Sequence, residues 1–199
     1  SSLVKAGLLS DIHQRGVEWI NIFAVDNVLQ RIADPLFIGA TILNGKVSGS
    51  KVVRKVDAYE KMGVLCLEDG RPSVVEYYEM SKDMAESTDE AGNLRYAFGV
   101  ILNYLFRVDK LEEIVERELP VHVVEKKIPY LAEDGTLVKP EEPNGYKFET
   151  LVVDMIRMMD NNLPFEVVRE REFAPIKNLH GVDSLDSARE LLQKNGIEL

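Results

Sequence analysis

The chain is poor in cysteine and has no long hydrophobic run. Cys66 is the only cysteine among 199 residues, so an internal disulfide is impossible and a reducing compartment is favoured. We therefore expect a cytoplasmic location. No apolar run approaches the roughly 20 residues that a membrane helix needs, and the first residues lack the pattern of a signal peptide. We expect no membrane partner.

Positive charge is outnumbered by negative charge, with 24 Lys and Arg against 34 Asp and Glu. The formal net charge is −10, which argues against a nucleic-acid partner because phosphate backbones bind basic faces. A nucleotide stays compatible with this charge, since a few local groups and one Mg²⁺ can hold it. The composition, 45% hydrophobic and 29% charged, excludes a disordered or fibrous chain. The length suits one core with a small appendage.

Recognisable active-site motifs are absent from the sequence. No glycine-rich phosphate loop precedes the first predicted strand, and no P-loop, zinc pattern or Ser-His-Asp order can be assembled. The three histidines share no ligand spacing, so we interpret them as structural or surface residues. The chain also begins without Met, as truncated chains do, and we expect it to be a fragment.

Hydrophobic periodicity predicts an α/β fold. Helical spacing before Gly16 is followed by an apolar strand over 17–25 and then a short helix, which is the rhythm of a doubly wound fold. Because the apolar residues of this strand face both sides (Trp19, Ile20, Ile22 and Phe23), we predict that it is parallel and covered on both faces. Further strands are predicted over 37–43 and 51–56, and an antiparallel hairpin around Asp69-Gly70.

The second half of the chain continues this alternation. We predict a core segment over 96–106, a helix over 111–119, a second turn at Asp134-Gly135, and a helical stripe from Phe148 to Met159. A strand over 165–168 precedes a terminal helix at about 184–195, with Asp183 or Ser184 as its N-cap.

The end of the first predicted strand carries the main candidate site. Asp26 and Asn27 follow the strand directly, and ligands of α/β proteins sit outside the carboxyl ends of parallel strands. Asp26 is therefore a candidate ligand of Mg²⁺, which prefers carboxylate oxygen and substrate phosphate. The alternative is that Asp26 or Asn27 caps the following helix, and position alone favours this alternative.

Three other places carry weaker signals. Lys177 lies in a loop after the last strand, where a lysine could contact phosphate or simply be solvated. Glu76 closes a strand, where it could accept sugar hydroxyls or merely be exposed. The turn at Asn144 and Gly145 could present backbone amides to a ligand, although a plain turn is the simpler interpretation.

Many short segments occur in one characteristic order along nearly the whole chain. They are Arg15-Gly16, Val25-Asp26-Asn27, Ala33-Asp34-Pro35 with Phe37-Ile38-Gly39, Lys51-Val52-Val53, Gly63-Val64 with Cys66, Val74-Val75-Glu76-Tyr77, Lys126-Lys127-Ile128-Pro129-Tyr130, Lys139-Pro140, Pro143-Asn144-Gly145, Arg169-Glu170 with Glu172-Phe173, and Pro175 with Lys177-Asn178. In this order they resemble the UDP-sugar pyrophosphorylase family, and within it the UDP-N-acetylglucosamine pyrophosphorylase branch.

The resemblance implies an activity and a fold. Family members transfer a uridylyl group from UTP to a sugar 1-phosphate with Mg²⁺ and release pyrophosphate. The implied fold is a Rossmann-like, GT-A-like nucleotidyltransferase with a mixed sheet and an antiparallel hairpin insertion. Residues 1–199 would form the C-terminal part of this catalytic domain, truncated on its N-terminal side. The uridine- and phosphate-binding loop of the family would then belong to a missing N-terminal half, which is the partner we expect.

The resemblance also assigns roles to residues. Asp26 would belong to the phosphate and metal edge, and Lys177 would reach the phosphates, so these two are the implied catalytic residues. The implied substrate-binding residues are Asn27, Gly63, Glu76, Gly99, Val100, Asn144 and Gly145.

The sequence departs from the family near the sugar. Val100 stands where the N-acetylglucosamine enzymes carry an Asn that meets the sugar, and Leu151 and Val153 stand where they carry aromatics. A glucose-1-phosphate-specific uridylyltransferase is therefore one alternative. Another is a non-catalytic module that binds sugar nucleotides and needs a separate N-terminal half.

Overall fold

The computed structural model describes residues 2–198, so Ser1 and Leu199, the ends of the predicted domain, lie outside the described residues. The helices are α1 (Ser2–Lys5), α2 (Leu8–Gln14), α3 (Pro35–Leu43), α4 (Lys82–Glu86), α5 (Val108–Ile114), α6 (Asp154–Arg157), α7 (Arg169–Glu172) and α8 (Leu185–Lys194). The strands are β1 (Trp19–Phe23), β2 (Ser48–Arg54), β3 (Val64–Glu68), β4 (Arg71–Val75), β5 (Phe98–Arg107), β6 (His122–Lys126), β7 (Tyr130–Leu131), β8 (Leu137–Val138), β9 (Gly145–Glu149) and β10 (Leu163–Glu166).

The centre of the molecule is a six-stranded mixed sheet in the order β10-β2-β5-β3-β4, with β1 also paired to β5. Only β10 and β2 run parallel, and every other pairing in this sheet is antiparallel. The hairpin predicted at Asp69-Gly70 is β3 and β4, and Glu68 pairs with Arg71 beside the turn. The prediction of an α/β fold with a mixed sheet and an antiparallel hairpin is confirmed.

Strand β5 organises the sheet because it is long enough to have three neighbours. Along one edge it pairs with β2. Along the other edge it pairs first with β3, at Gly99, and then with β1, from Asn103 onward. Residues 100–102 therefore face a gap between β1 and β3. Leu102 adopts φ 50° in this gap, and the register of β2 against β5 shifts at the same level, which marks a β-bulge.

The first strand differs from its prediction. β1 is antiparallel to β5 and half-buried, whereas we predicted a parallel strand covered on both faces. The reason is that only one edge of β1 is paired within residues 2–198. A continuous apolar run does not reveal strand direction.

The segment 37–43, predicted as a strand, belongs to α3. Asp34 is the N-cap of this helix and its side chain accepts a hydrogen bond from the Leu36 amide at 3.1 Å. Pro35 occupies the first turn, where its missing N–H costs nothing. The cap and the proline decide the helix, because a short apolar run fits a buried strand equally well.

The predicted stripe from Phe148 to Met159 is not one helix. Phe148 lies in β9 opposite Val123 of β6, and only α6 is helical. The apolar residues of the stripe still reach the main core, where Val153, Ile156 and Met159 pack against Tyr104 and Phe106 of β5. Helix α5 also ends at Ile114, earlier than the predicted Leu119.

The terminal helix agrees with its prediction. Ser184 is the N-cap of α8 and forms a capping box with Ser187, and the C-cap is Asn195. Ala188 of α8 packs with Leu29 and Ala174, which fixes the loops next to the first predicted site. Within residues 2–198, no helix has the length and apolar character that crossing a membrane requires.

Candidate functional site

A cavity of about 830 Å³ opens beside the gap between β1 and β3. The residues of β5 that face the gap form its floor: Val100, Ile101 and Leu102. Six of the residues predicted from the sequence lie in its lining, although they are up to 151 positions apart in the chain: Asp26, Asn27, Gly63, Glu76, Val100 and Lys177.

Asp26 presents a free carboxylate to this cavity. Its side chain makes no hydrogen bond and no ion pair with residues 2–198, while its carbonyl accepts a hydrogen bond from the Ile176 amide at 2.9 Å. The alternative role of Asp26 or Asn27 as a helix cap is wrong, since Asp34 caps α3. Asp26 therefore combines a fixed backbone with an unused anionic group.

Asn27 joins the two chain segments that carry Asp26 and Lys177. Its side-chain amide donates to the Glu172 carbonyl at 2.8 Å, and its oxygen accepts from the Ala174 amide at 2.8 Å. The Val28 amide also donates to the Ala174 carbonyl at 3.2 Å. Because Asn27 is 3% exposed, these bonds satisfy a buried amide that would otherwise be costly.

Lys177 lies on the rim of the cavity with a free ammonium group. Its side chain is exposed and forms no salt bridge within residues 2–198. The backbone is nevertheless fixed, because the amides of Lys177 and Asn178 both donate to the Asp183 carbonyl, at 2.7 and 2.9 Å. Asp183 itself adopts φ 51°. An exposed cation on a fixed loop is well suited to bind phosphate.

Gly63 and Glu76 form one wall. A Cβ atom on Gly63 would lie 3.1 Å from Oε1 of Glu76 and 3.0 Å from Val74, so glycine allows the carboxylate to approach the backbone. Burial and the neighbouring charge of Glu79 raise the pKa of Glu76. The carboxylate has no hydrogen-bond donor within residues 2–198, so it can accept bonds from a ligand.

Val100 and Gly99 have different surroundings. Val100 lines the cavity, and its amide donates to the Gly63 carbonyl at 2.9 Å. Gly99 is absent from the lining, because it faces Met62, whose side chain would overlap a Cβ atom there. Val153, which stands at a family aromatic position, lines the cavity, whereas Leu151 does not.

The structure does not bring Asn144 and Gly145 to this cavity. They lie where the chain enters β9, and the Asn144 side chain exchanges hydrogen bonds with the Ile128 backbone at 2.7 and 3.0 Å. A Cβ atom on Gly145 would lie 2.7 Å from Ile128 Cδ1. Both residues lie where the chain returns into a two-stranded arm, β6 and β9, beside Lys126 at the end of β6.

Several polar residues of the cavity lining had no role assigned from the sequence, among them Tyr104 and Arg169. Tyr104 is fully buried in β5, and its hydroxyl has no hydrogen-bond partner among the described residues. Burial and the charge of Glu76 raise its pKa. Arg169 donates to Glu60 at 2.8 and 3.0 Å. Hydrophobic periodicity does not single out either residue. Tyr104 lies in the lining because of the bulge in β5, and Arg169 because α7 lies beside the cavity.

A neighbouring cavity of about 900 Å³ contains an imidazole held by two carboxylates. Nδ1 of His122 lies 3.0 Å from Glu79, and Nε2 lies 3.1 Å from Asp154. Burial alone would lower the pKa of His122, but hydrogen bonds and charges from Asp154 and Glu79 outweigh it and raise the pKa. The interpretation of the histidines as scattered did not anticipate this arrangement.

Comparison with known proteins identifies the family of this chain. A family model described as UTP–glucose-1-phosphate uridylyltransferase matches residues 1–196. The human UDP-N-acetylhexosamine pyrophosphorylase-like protein 1 is 44% identical over 185 residues, covering 92% of this chain and 36% of that protein. The yeast (Saccharomyces cerevisiae) UDP-N-acetylglucosamine pyrophosphorylase is 39% identical over 177 residues, covering 86% of this chain and 37% of that protein.

Solved structures agree with the sequence matches. A putative UDP-N-acetylglucosamine pyrophosphorylase from Entamoeba histolytica superposes with a TM-score of 0.86 at 30% identity, covering 96% of this chain and 48% of that one. The Trypanosoma brucei UDP-N-acetylglucosamine pyrophosphorylase gives 0.80 at 28% identity, covering 94% and 37%. The chain thus spans roughly a third to a half of the lengths of these relatives, and it belongs to the UTP–glucose-1-phosphate uridylyltransferase family.

Proposed function

We propose that this chain forms the sugar-binding and part of the phosphate-binding region of a uridylyltransferase. The whole protein would make a UDP-sugar, UDP-N-acetylglucosamine or a related UDP-hexose, and pyrophosphate from UTP and a sugar 1-phosphate. The observation that carries this proposal is the convergence of Asp26, Glu76 and Lys177 on one cavity. An N-terminal portion would supply the remaining uridine and phosphate contacts; the greater length of the relatives supports this part of the proposal, since the chain covers 36% and 37% of the human and yeast proteins.

The residues present fit Mg²⁺, which we propose as the cofactor. Mg²⁺ is commonly held by one or two carboxylates together with substrate phosphates and water, and Asp26 offers one unused carboxylate. Residues 2–198 contain no cluster of three or more His, Cys, Asp or Glu that would hold a metal alone. The single carboxylate of Asp26 therefore suits a metal ion that binds together with the phosphates of a nucleotide. Bound Mg²⁺ would neutralise phosphate charge as the uridylyl group moves.

The protein groups would act by positioning and charge compensation. In the forward reaction, an oxygen of the sugar 1-phosphate forms a bond to the α-phosphorus of UTP, and the bond from that phosphorus to the departing pyrophosphate breaks. Lys177 would bind the phosphates of the nucleotide sugar as a point charge. Glu76 would accept sugar hydroxyls, and Gly63 would let the sugar approach the backbone. No proton transfer to a protein base is needed.

Two alternatives concern the substrate and the catalytic status. Val100 cannot form a side-chain hydrogen bond, which favours glucose 1-phosphate or a broader range of sugars over strict N-acetylglucosamine specificity. The chain could also be a non-catalytic module that binds sugar nucleotides beside a separate N-terminal half. The unpaired edge of β1 within residues 2–198 favours the need for that half in either case.

The test is a panel of sugar 1-phosphates with UTP and Mg²⁺, with pyrophosphate release as the readout. The full protein should be active, and the isolated chain should be inactive, because the proposed phosphate loop of the N-terminal half would supply backbone amides and a second cation to the triphosphate. Pyrophosphate release by the chain alone would contradict the proposed division. Nucleotide binding by the full protein without turnover on any sugar would favour the non-catalytic module.

The same assay tests the phosphate-binding role of Lys177 with one variant and a matched control variant. Lys177→Ala should weaken UTP and UDP-sugar binding about 10- to 100-fold, as expected for a lost charge-assisted contact, with an unchanged melting temperature. Lys61→Ala removes another exposed cation of the same cavity and should have a smaller effect. Equal effects of both changes would indicate a general electrostatic attraction instead of a defined phosphate contact.

We also propose a cytoplasmic location, supported by the single free cysteine, Cys66, since cytosolic thiols stay reduced. Cell fractionation of the full protein tests this.

A further inference from the structure

A fully buried lysine lies directly behind the cavity. Lys51 of β2 is 0% exposed, and its Nζ lies 2.7 Å from Oδ2 of Asp34 and 2.5 Å from Oε2 of Glu172. The ring of Phe37 also faces the ammonium group, at 5.6 Å. The lysine therefore connects three elements: β2, the N-cap of α3 and the end of α7.

Burial makes the ion pairs of Lys51 with Asp34 and Glu172 depend on one another. An unpaired buried charge is very unfavourable, so each of the three charged groups holds the others in place. Burial works to raise the pKa of Asp34, but the hydrogen bond and charge of Lys51 outweigh it and lower the pKa. Asp34 is thus ionised and keeps its second oxygen on the Leu36 amide as the cap of α3.

The Glu172 end of this network leads into the candidate site. The carbonyl of Glu172 accepts the Asn27 side-chain amide, at 2.8 Å. From there the segment after α7 pairs with the segment after β1, through Ala174 with Asn27 and Val28 and through Ile176 with Asp26. Lys177 is the next residue. Glu172 is therefore held through its side chain by Lys51, with the half-exposed Arg31 3.7 Å from its Oε1, and through its backbone by Asn27.

We propose that Lys51 is a positioning residue for the proposed reaction: through Glu172 it sets the placement of Asp26 relative to Lys177 across the cavity. Lys51 does not line the cavity and touches no substrate. Its role is to fix α7 against β2, so that the segment 173–177 meets the segment 26–28 in a single register. This inference rests on the proposed function, since it concerns the same two residues.

The first test uses Glu172→Gln in the full protein, with Asp34→Asn as a matched comparison. Each change removes one buried negative charge and leaves Lys51 paired with the other carboxylate. Asn at position 34 retains the N-cap. Because misplacement of reacting groups by about 1 Å can cost roughly 100-fold in rate, we expect Glu172→Gln to lower kcat at least about tenfold, with the KM for sugar 1-phosphate changed less than about twofold. Asp34→Asn should affect kcat much less.

The second readout does not depend on activity. Amide hydrogen exchange at Ala174 and Ile176 should accelerate at least about tenfold in Glu172→Gln, while the amides of β5 remain protected. Glu170→Gln is the control on the same helix, because that side chain is exposed. Lys51→Met would leave Asp34 and Glu172 without the cation they share, so the Glu172 variant, which keeps Lys51 paired with Asp34, decides the positioning role.

Clear outcomes overturn the inference. Equal loss of kcat in Glu172→Gln and Asp34→Asn, or unchanged exchange at Ala174 and Ile176, would mean that the network merely stabilises the fold. An inactive wild-type protein with the expected exchange pattern would refute the proposed function but leave the coupling between Lys51 and the loop intact. Hydrogen exchange thus tests the coupling to the loop and activity tests the proposed function, so either one can be refuted without the other.

Discussion

At the scale of single residues, Asp26 is distinguished by an unused carboxylate on a backbone that the Ile176 amide holds in place. We expect Asp26→Asn to lower turnover of the full protein at least about 100-fold, since the amide cannot supply the negative charge that Mg²⁺ needs. Stability should change little, because no contact of the carboxylate is lost. Asp57→Asn, in the same cavity lining, is the control. Activity within a few-fold of wild type across a Mg²⁺ titration would remove Asp26 from the metal site.

We expect Glu76 to lower the stability of the fold and to strengthen the binding of UDP-sugar. Burial and Glu79 raise its pKa, so its ionised form is unfavourable in the free protein. Glu76→Gln should therefore raise the melting temperature by a few degrees at neutral pH and weaken UDP-sugar binding, because the carboxylate accepts stronger hydrogen bonds than the amide. Calorimetry with and without ligand measures both. A lower melting temperature with unchanged affinity would assign Glu76 to the fold.

Val100 is the residue whose identity bears most directly on the choice of sugar. Val100→Asn should raise the preference for N-acetylglucosamine 1-phosphate over glucose 1-phosphate, measured as the ratio of kcat/KM, by about tenfold. The change should act on the ratio because it adds a donor and an acceptor to the cavity lining. Gly99→Ala is no useful control, since it would overlap Met62. A ratio that stays the same or falls would mean that residue 100 does not meet the sugar.

Much of the candidate site followed from the order of the short segments. That order selected Asp26, Gly63, Glu76, Val100 and Lys177, all of which line one cavity. Spacing alone could not have done so, because a hundred residues separate Glu76 from Lys177. Tyr104 escaped notice since a tyrosine in an apolar strand is indistinguishable from ordinary core. Asn144 and Gly145 matched a motif that serves the arm instead of the cavity.

At the scale of elements, His122 links the loop after β4, strand β6 and helix α6 through Glu79 and Asp154. The raised folded pKa means that this link stabilises the fold fully below the unfolded pKa of histidine, near 6.5, and that the contribution disappears as the pH rises through the folded value. His122→Asn should therefore lower the melting temperature by several degrees at about pH 6 and far less at about pH 9.

The matched control for His122→Asn is His180→Asn. In the wild type, the imidazole of His180 also lies near a carboxylate, that of Asp186, but the His180 side chain is 75% exposed. An exposed pair contributes little, so this change should leave the melting temperature nearly constant across the same range. Measurement of the difference between wild type and His122→Asn at each pH cancels the contributions that the two proteins share. A difference independent of pH would contradict the ionic link.

The errors in element assignment have a common physical cause. The segments 37–43 and 148–159 are apolar runs whose final structure depends on contacts at their ends: the Asp34 cap with Pro35 in the first case, and pairing of Phe148 with β6 in the second. Periodicity describes only the faces of a segment. The terminal helix was easier, since amphipathic spacing, the Ser184 cap and Asn195-Gly196 all agree.

At the scale of the whole molecule, the outer edge of β1 is open within residues 2–198. The Ala24 amide donates to β5, and alternation along the strand directs the Ile22 amide to β5 and those of Asn21 and Phe23 to the open edge. We expect the proposed N-terminal portion to add a strand here. Its addition should slow exchange at Asn21 and Phe23 at least about tenfold, while Ile22 stays protected throughout. Unchanged exchange at Asn21 and Phe23 would place the missing contacts elsewhere.

The distance along the chain between Asp26 and Lys177 also matters while the protein is being made. At about 5–20 residues per second, a ribosome adds the 151 residues from 27 to 177 in roughly 8 to 30 s. Until α7 emerges, the side chain of Asn27 has neither the Glu172 carbonyl nor the Ala174 amide to bind, and β2 has no β10 beside it. During this interval the side chain of Asn27 and one edge of β2 are unpaired in the nascent chain. A translational pause would lengthen the time for which they are exposed.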